Sequence, residues 1–391
     1  MLEDKAVLTG KHLMMGNSAM VEGALAAGCK FFAGYPITPQ NEVPERMSRR
    51  LPEVDGIFLQ MEDEIGSIAA VIGASIAGTR AMTSTSGPGF SLMQECMSWA
   101  ACIELPIVVA DVQRTGPGSG IVSLPHHGDI MQTRFGGNGD YEVIALAPST
   151  CQELFEYTFE AFNLADKWRT PVVVLSDSWL GHTHERVLIP PKEEMEERII
   201  PREKGKSDAT QFFTTAKKRY TKFKIPPTPQ IGTPYFPRWL PSVTHSEMGI
   251  PVEDGKISKK MVNAICKKIT NNEDEICITK EYYLEDAEYA IIAYGLPVRT
   301  GLRAVREARA EGIKIGLLKL ITVWPFPSKE VQDLAKNVNH IFLPEINMGQ
   351  LLPEVERVAY KEGTPVTLIS QISKLHEPKE IMKAIKEVVS T

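Results

Sequence analysis

Three carboxylates, Glu62, Asp63 and Glu64, precede an almost uncharged segment that carries Ile65, Ile68 and Ile72 and ends at Gly78. A carboxylate at the mouth of an apolar helix is placed to hold its proton toward neutrality, as an acid or base must. The other reading of Glu64 is a first-turn carboxylate that answers the helix dipole. Arg114 heads the glycine-rich run Thr115-Gly116-Pro117-Gly118-Ser119-Gly120. A guanidinium on such a loop suits two-pronged capture of a substrate carboxylate, with a surface ion pair as the alternative. Thr38 lies in Tyr35-Pro36-Ile37-Thr38-Pro39, where its hydroxyl could meet a ligand or cap the turn. Ser86-Gly87-Pro88-Gly89 completes the set. Neither glycine loop matches G-x-x-x-x-G-K-[ST] or G-x-G-x-x-G, so no ATP or nicotinamide site is expected. His126 and His127 follow the Arg114 loop, with substrate contact and a structural role both open.

Alternating strands and helices position these residues. Strands are expected at 30–34, 57–60, 80–85, 105–111, 141–146 and 171–176, and helices from residue 16, at 41–50, 64–77, 90–103 and 150–165. The first helix is expected to be capped near Asn17 and Ser18 and closed by Gly28. Such alternation gives a parallel sheet with helices on both faces, and open sheets of this kind bind ligands beyond the carboxyl ends of their strands. In the 64–77 helix, Ile65, Ile68, Ala69, Ile72 and Ile76 recur at helical spacing. Gly66 and Gly73 inside it each cost about 1 kcal/mol against alanine, which implies close approach of a backbone or a ligand.

The 391 residues are 43% hydrophobic and 24% charged, with a net charge of −6: a globular composition for two or three domains. The acidic balance argues against nucleic-acid or anionic-membrane partners, and no long apolar run or leader-like start is present, so cytoplasm is the default. Six cysteines, at 29, 96, 102, 151, 266 and 277, include no CxxC pair. They read as reduced, mostly buried thiols rather than zinc or iron–sulfur ligands. The expected division is 1–184, a proline-rich linker or arm at 185–255, and a second α/β unit at 256–391. The arm carries Lys204, Lys206, Lys217, Lys218, Arg219, Lys222 and Lys224 and the aromatics Tyr235, Phe236 and Trp239. It reads as a solvated linker or as an arm lying on a partner subunit.

The segments 34–39, 60–65, 85–91 and 113–114, with Thr244-His245-Ser246-Glu247 and 343–350, resemble the alpha subunits of 2-oxoacid:ferredoxin oxidoreductases, the 2-oxoglutarate type above all. The resemblance implies a pyrimidine-type thiamine diphosphate domain first and a transketolase C-terminal-like α/β domain last. It implies that Glu64 hydrogen-bonds the aminopyrimidine ring, and that Tyr35, Pro36, Ile37, Ser86 and Gly87 also contact the cofactor, with Pro36 packing on the ring. Thr38 and Arg114 would hold the oxoacid carboxylate. It further implies that carbon dioxide leaves, that electrons pass singly through an iron–sulfur cluster to ferredoxin, and that the acyl group goes to coenzyme A. This chain lacks G-D-G followed by asparagine and lacks cluster cysteines. Mg2+–diphosphate and [4Fe-4S] are therefore expected on a beta subunit, with gamma and delta subunits as further partners. The order Gly116-Pro117-Gly118 is closer to branched-chain members, which keeps 2-oxoisovalerate as the alternative substrate. A non-catalytic scaffold is the alternative from another class.

Overall fold

A computed structural model describes residues 7–202, 213–214, 225–228, 231 and 240–390. The first sheet has seven strands in the spatial order Thr322–Trp324, Ile144–Leu146, Val172–Asp177, Val108–Gln113, Ala81–Thr85, Phe31–Gly34, Ile57–Gln60. All pairings are parallel except that of Thr322–Trp324, which joins the edge antiparallel from the last third of the chain. The second sheet runs Val366–Ser370, His340–Glu345, Tyr289–Ala293, Ile315–Leu320, with Thr279–Tyr282 antiparallel at its edge.

The central strands are covered on both faces, so they read as apolar runs rather than as an alternation. In Val108–Gln113 every residue is buried. Val109, Val173 and Ala145 face one apolar cluster, while Val108, Val172 and Ile144 face another. The first cluster continues into Ala290, Ile292, Leu318 and Leu343 of the second sheet, so one core joins the two sheets. Among the described residues no helix is long and apolar enough to cross a membrane.

Several local expectations change. The first helix, Gly16–Ala26, has no side-chain cap: Met15 stands at its N-cap, and Asn17 instead donates to the Pro39 carbonyl and to Glu42 Oε2, at 2.9 and 2.8 Å. Gly28 does close it, at φ 80°. The strand expected at 141–146 is shorter, Ile144–Leu146, and the Val108–Gln113 strand reaches to the residue before Arg114.

The largest change is in the helix Glu64–Ile76. Its buried stripe is Glu64, Ser67, Ile68, Val71, Ile72 and Ser75, while Ile65 is 48% exposed. The stripe is turned one residue from the isoleucine pattern, and that turn carries Glu64 inward. Gly73 has nothing within 4 Å of a Cβ position, and a Cβ on Gly66 would meet only ordinary contacts, so neither glycine answers a close approach within this chain.

The 185–255 stretch is not uniformly irregular. His184–Ile189 is a strand paired antiparallel with Gly10–Met15, and Lys192–Arg198 is a helix. Leu13 and Leu188 on the solvent side, 77% and 52% exposed, blur the alternation that would have marked these strands. The lysine run and Tyr235, Phe236 and Trp239 lie outside the described residues.

Candidate active site

The expected loops leave the carboxyl ends of four neighbouring strands, Ile57–Gln60, Phe31–Gly34, Ala81–Thr85 and Val108–Gln113. The chain passes from Phe31–Gly34 outward to Ile57–Gln60, then returns to Ala81–Thr85 and moves the other way. The reversal lies between Phe31–Gly34 and Ala81–Thr85, and such switch points open a crevice at the strand ends.

Of the three carboxylates, only Glu64 is buried, at 4% exposure. Glu62 and Asp63 are exposed. Asp63 is the N-cap of the helix, its Oδ1 accepting from the Gly66 N–H at 2.7 Å. Glu64 sits against the loop after Ala81–Thr85. A Cβ on Gly89 would lie 2.2 Å from Glu64 Oε1 and 2.2 Å from Thr85 Oγ1, so the glycine leaves room for the carboxyl beside that hydroxyl. Burial raises the Glu64 carboxyl above the usual range, with the Asp63 charge adding to the rise; its own backbone N–H and the Arg114 charge oppose it.

Arg114 is 6% exposed and makes no ion pair among the described residues. Its Nη1 donates to the Thr38 carbonyl at 2.6 Å, and its Nε has no partner. Gly87, at φ 42°, lies beneath it, with the Arg114 Cγ 3.8 Å from a Cβ position. The surface ion pair is therefore not its role here. Thr38 meets Arg114 through its backbone, while its hydroxyl accepts only a long 3.4 Å bond from Asn41 Nδ2. The turn beneath Thr38 is braced by Gln40, which accepts from Ser84 Oγ at 2.5 Å and donates to the Tyr35 carbonyl at 3.0 Å. Tyr35 and Pro36 are exposed, and Ile37 is half-buried. Ser86 is buried, and its hydroxyl, like that of Thr85, has no hydrogen-bond partner.

Glu64, Arg114, Thr38, Gly87 and Ser86 thus come together on one rim, with 35–37 as an open shelf beside them. His127 is buried, Nε2 to Asp177 Oδ2 at 3.1 Å, with its backbone N–H and C=O bonded to Ile346 and Asn347 of the second sheet's loop. It pins the two sheets together. His126 is half-buried, and burial lowers its pKa, with the neighbouring His127 adding to the fall.

Sequence reasoning missed Gly89 and Thr85 as neighbours of Glu64. It also missed two acids below the rim, Asp111 and Asp129. Asp111 carried a signal: it is the one charged residue in the strand Val108–Gln113.

The rim suits a flat, partly apolar heteroaromatic ring with hydrogen-bonding edges. It has a buried carboxyl whose pKa burial raises, two unpartnered buried hydroxyls, and an open shelf of Tyr35, Pro36 and Ile37. That is the donor set an aminopyrimidine requires, so the residues fit thiamine diphosphate.

The family profile described as "Pyruvate flavodoxin/ferredoxin oxidoreductase, thiamine diP-bdg" matches residues 22–261, and "Pyruvate:ferredoxin oxidoreductase core domain II" matches 287–381. The 2-oxoglutarate synthase subunit KorA of Methanocaldococcus jannaschii is 46% identical over 96% of this chain and 99% of its own length. The ketoisovalerate oxidoreductase subunit VorB of Methanothermobacter thermautotrophicus is 36% identical over 96% of this chain and 97% of its own. Among solved structures, a 2-oxoglutarate:ferredoxin oxidoreductase from Magnetococcus marinus, with 2-oxoglutarate, coenzyme A and succinyl-CoA bound, superposes with a TM-score of 0.88 at 30% identity. That match covers 97% of this chain and 65% of the other.

Proposed function

This chain belongs to the pyruvate flavodoxin/ferredoxin oxidoreductase family, whose first domain binds thiamine diphosphate, and we propose that it is the alpha subunit of a 2-oxoglutarate:ferredoxin oxidoreductase. The reaction is oxidative decarboxylation of 2-oxoglutarate with coenzyme A to succinyl-CoA and CO2, with reduction of ferredoxin, or the reverse. The observation that carries this reading is the rim itself: a buried glutamate with a raised pKa under Gly89, facing an arginine seated on the Thr38 carbonyl.

When bound, thiamine diphosphate supplies the carbon nucleophile that attacks the 2-oxo carbon and the sink for the electrons left when CO2 departs. This chain's own residues would hold the ring and the oxoacid. Glu64, its carboxyl raised by burial, would donate to the aminopyrimidine ring and exchange a proton there. Tyr35, Pro36, Ile37, Ser86 and Gly87 would hold the ring. Arg114 takes the oxoacid carboxylate with its fork, assisted by the Thr38 hydroxyl.

In this reading 1–184 is the pyrimidine-type domain, 185–255 the connecting arm and 256–391 the transketolase C-terminal-like domain. The chain carries no G-D-G motif and no cluster cysteines, so Mg2+–diphosphate and [4Fe-4S] belong to a beta subunit, and the complex works in the cytoplasm with gamma and delta subunits as further partners. One observation favours a second substrate: the order Thr115-Gly116-Pro117-Gly118 matches the branched-chain pattern, which would make 2-oxoisovalerate the substrate.

The test is coexpression with a beta-type chain and measurement of CoA-dependent viologen reduction with 2-oxoglutarate, 2-oxoisovalerate and pyruvate. A preference for 2-oxoglutarate is expected. A preference for 2-oxoisovalerate would select the second substrate, and full activity without this chain would make it a scaffold.

A further inference from the structure

The loop that follows Arg114 is closed at its neck by one residue. Thr115 donates from its N–H to the Leu124 carbonyl at 3.2 Å, and its own carbonyl accepts from the Ile121 N–H at 3.0 Å. Gly120, at φ 56°, lies against that carbonyl: a Cβ there would stand 1.4 Å from it, so a side chain would block the closure. Beyond the neck residues 117–123 are exposed, while Thr115 is buried. The Thr115 hydroxyl lies 3.3 Å from the Leu124 carbonyl and 2.8 Å from the Ser373 hydroxyl. A carbonyl only accepts, so Thr115 donates to Leu124 and Ser373 donates to Thr115.

Ser373 belongs to the second sheet, in the turn after Val366–Ser370. That turn is tied to the loop after His340–Glu345: the Gln371 N–H donates to the Glu345 carbonyl at 3.0 Å, and Ser370 Oγ donates to the Asn347 carbonyl at 2.6 Å. From the same loop Asn347 Nδ2 donates to the His127 carbonyl at 2.8 Å, and Gln350 Nε2 to the Gly128 carbonyl at 2.5 Å. The second sheet has its own switch point, since the chain runs from Tyr289–Ala293 to Ile315–Leu320 on one side and then to His340–Glu345 on the other. A crevice of this kind ordinarily takes a ligand. Here it takes His127, whose Cε1 lies 2.7 Å from a Cβ position on Gly295 and whose N–H donates to the Ile346 carbonyl at 2.9 Å. Three strand ends of the second sheet thus hold the stretch 115–128 near both of its ends.

Arg114 directly precedes Thr115. On its other side Gln113 is fixed by the first sheet, paired in register with Asp177 and donating from Nε2 to the Ser176 carbonyl at 3.2 Å. The Arg114 backbone is therefore held by the first sheet on one side and by Thr115 on the other. Among the described residues, Ser373 is the one residue outside the loop that hydrogen-bonds its neck. We propose that the second α/β unit clamps the oxoacid site, with Ser373 holding Arg114 in place through Thr115. Ser373 is a positioning residue, since it acts through Thr115. The inference rests on Arg114 as the carboxylate-binding residue.

The experiment uses the complex assembled with its partner subunits. Its first reading is hydrogen exchange of the 115–124 amides, followed by mass spectrometry. Exchange in Ser373→Ala is expected to be about fivefold faster than in the native complex, the scale of one neutral hydrogen bond, with the amides of Val108–Gln113 unchanged. Equal exchange in the loop, or a loss of protection that extends to Val108–Gln113, overturns the clamp whatever Arg114 does. The second reading is the oxoacid KM. Ser373→Ala is expected to raise it about fivefold, with kcat and the coenzyme A KM within about twofold of native. A fall in kcat with the oxoacid KM unchanged overturns the proposal. Thr115→Val removes the acceptor, and adding Ser373→Ala to it is expected to raise KM no further, because both changes break one bond. Additive rises overturn the proposal. Thr115→Ser keeps the hydroxyl and is expected to keep the native KM; a KM as high as that of Thr115→Val would count against the bond. Arg114→Ala separates the two readings: if it leaves KM unchanged, the carboxylate role of Arg114 has failed, while the exchange comparison still decides the clamp.

Discussion

The Glu64 carboxyl fills the space that a side chain on residue 89 would need. A Cβ on Gly89 would stand 2.2 Å from Glu64 Oε1 and 2.6 Å from its carboxyl carbon. Glycine at 89 is therefore a condition for the carboxyl's position, not only for the turn. Gly89→Ala is expected to lower kcat about 100-fold by displacing the acid, with the oxoacid KM changed far less. Steady-state viologen reduction checks the kinetics, and circular dichroism checks that the fold is kept. A native kcat in a folded variant would mean that the contact does not position Glu64.

Glu64→Gln keeps the shape and removes the exchangeable proton. Turnover is expected to fall by about 10²–10⁴, the range for loss of a positioned acid–base group. Near-native turnover in the assembled complex would remove Glu64 from the proton-transfer step.

The same residue makes a stability prediction. Because the folded-state pKa of Glu64 is raised, the native protein binds this proton more tightly than the unfolded chain does. Its stabilising contribution is therefore greatest in acid and is lost as pH climbs from the ordinary glutamate range through the raised value. Glu64→Gln is expected to lack that part of the decline. Urea unfolding of the isolated chain at a series of pH values tests this, and equal slopes in both proteins would contradict it.

Arg114→Lys keeps the charge and loses the planar fork. The oxoacid KM is expected to rise about tenfold, and kcat/KM to fall with it, since a point charge cannot reproduce two parallel bonds. A KM equal to the native value would show that charge alone, or another residue, binds the carboxylate.

Far from the rim, Lys268 and Glu104 form a buried ion pair at 2.7 Å, with Lys268 also donating to the Arg169 carbonyl at 2.9 Å. Burial would raise Glu104, but the charges of Lys268 and Arg169 prevail and hold it below its ordinary value. Lys268→Met is expected to destabilise the protein by about 3–5 kcal/mol, because it strands a buried charge. The stability that Glu104 contributes is present at neutral pH and lost as pH falls through its depressed value, so the variant's deficit is expected to shrink in acid. Thermal unfolding at pH 7 and in acid measures both effects.

The order of the strands and helices that carry the rim was written in the sequence, because buried parallel strands and amphipathic helices leave periodic, local signals. The loops at the strand ends could be listed for the same reason, and with them Glu64, Thr38, Arg114, Ser86 and Gly87. The missing motifs were legible too: without G-D-G or paired cysteines, this chain alone accounts for only part of the expected chemistry. Tertiary structure decided which of Glu62, Asp63 and Glu64 faces inward, since a one-residue rotation of the Glu64–Ile76 helix is set by packing against its neighbours and not by the isoleucine spacing. It alone showed that His127 ties two sheets together and that Gly89 makes room for an acid 25 residues before it. Those relationships join residues distant in the chain, and contact between such residues is a property of the packed sheet, with no local pattern to announce it.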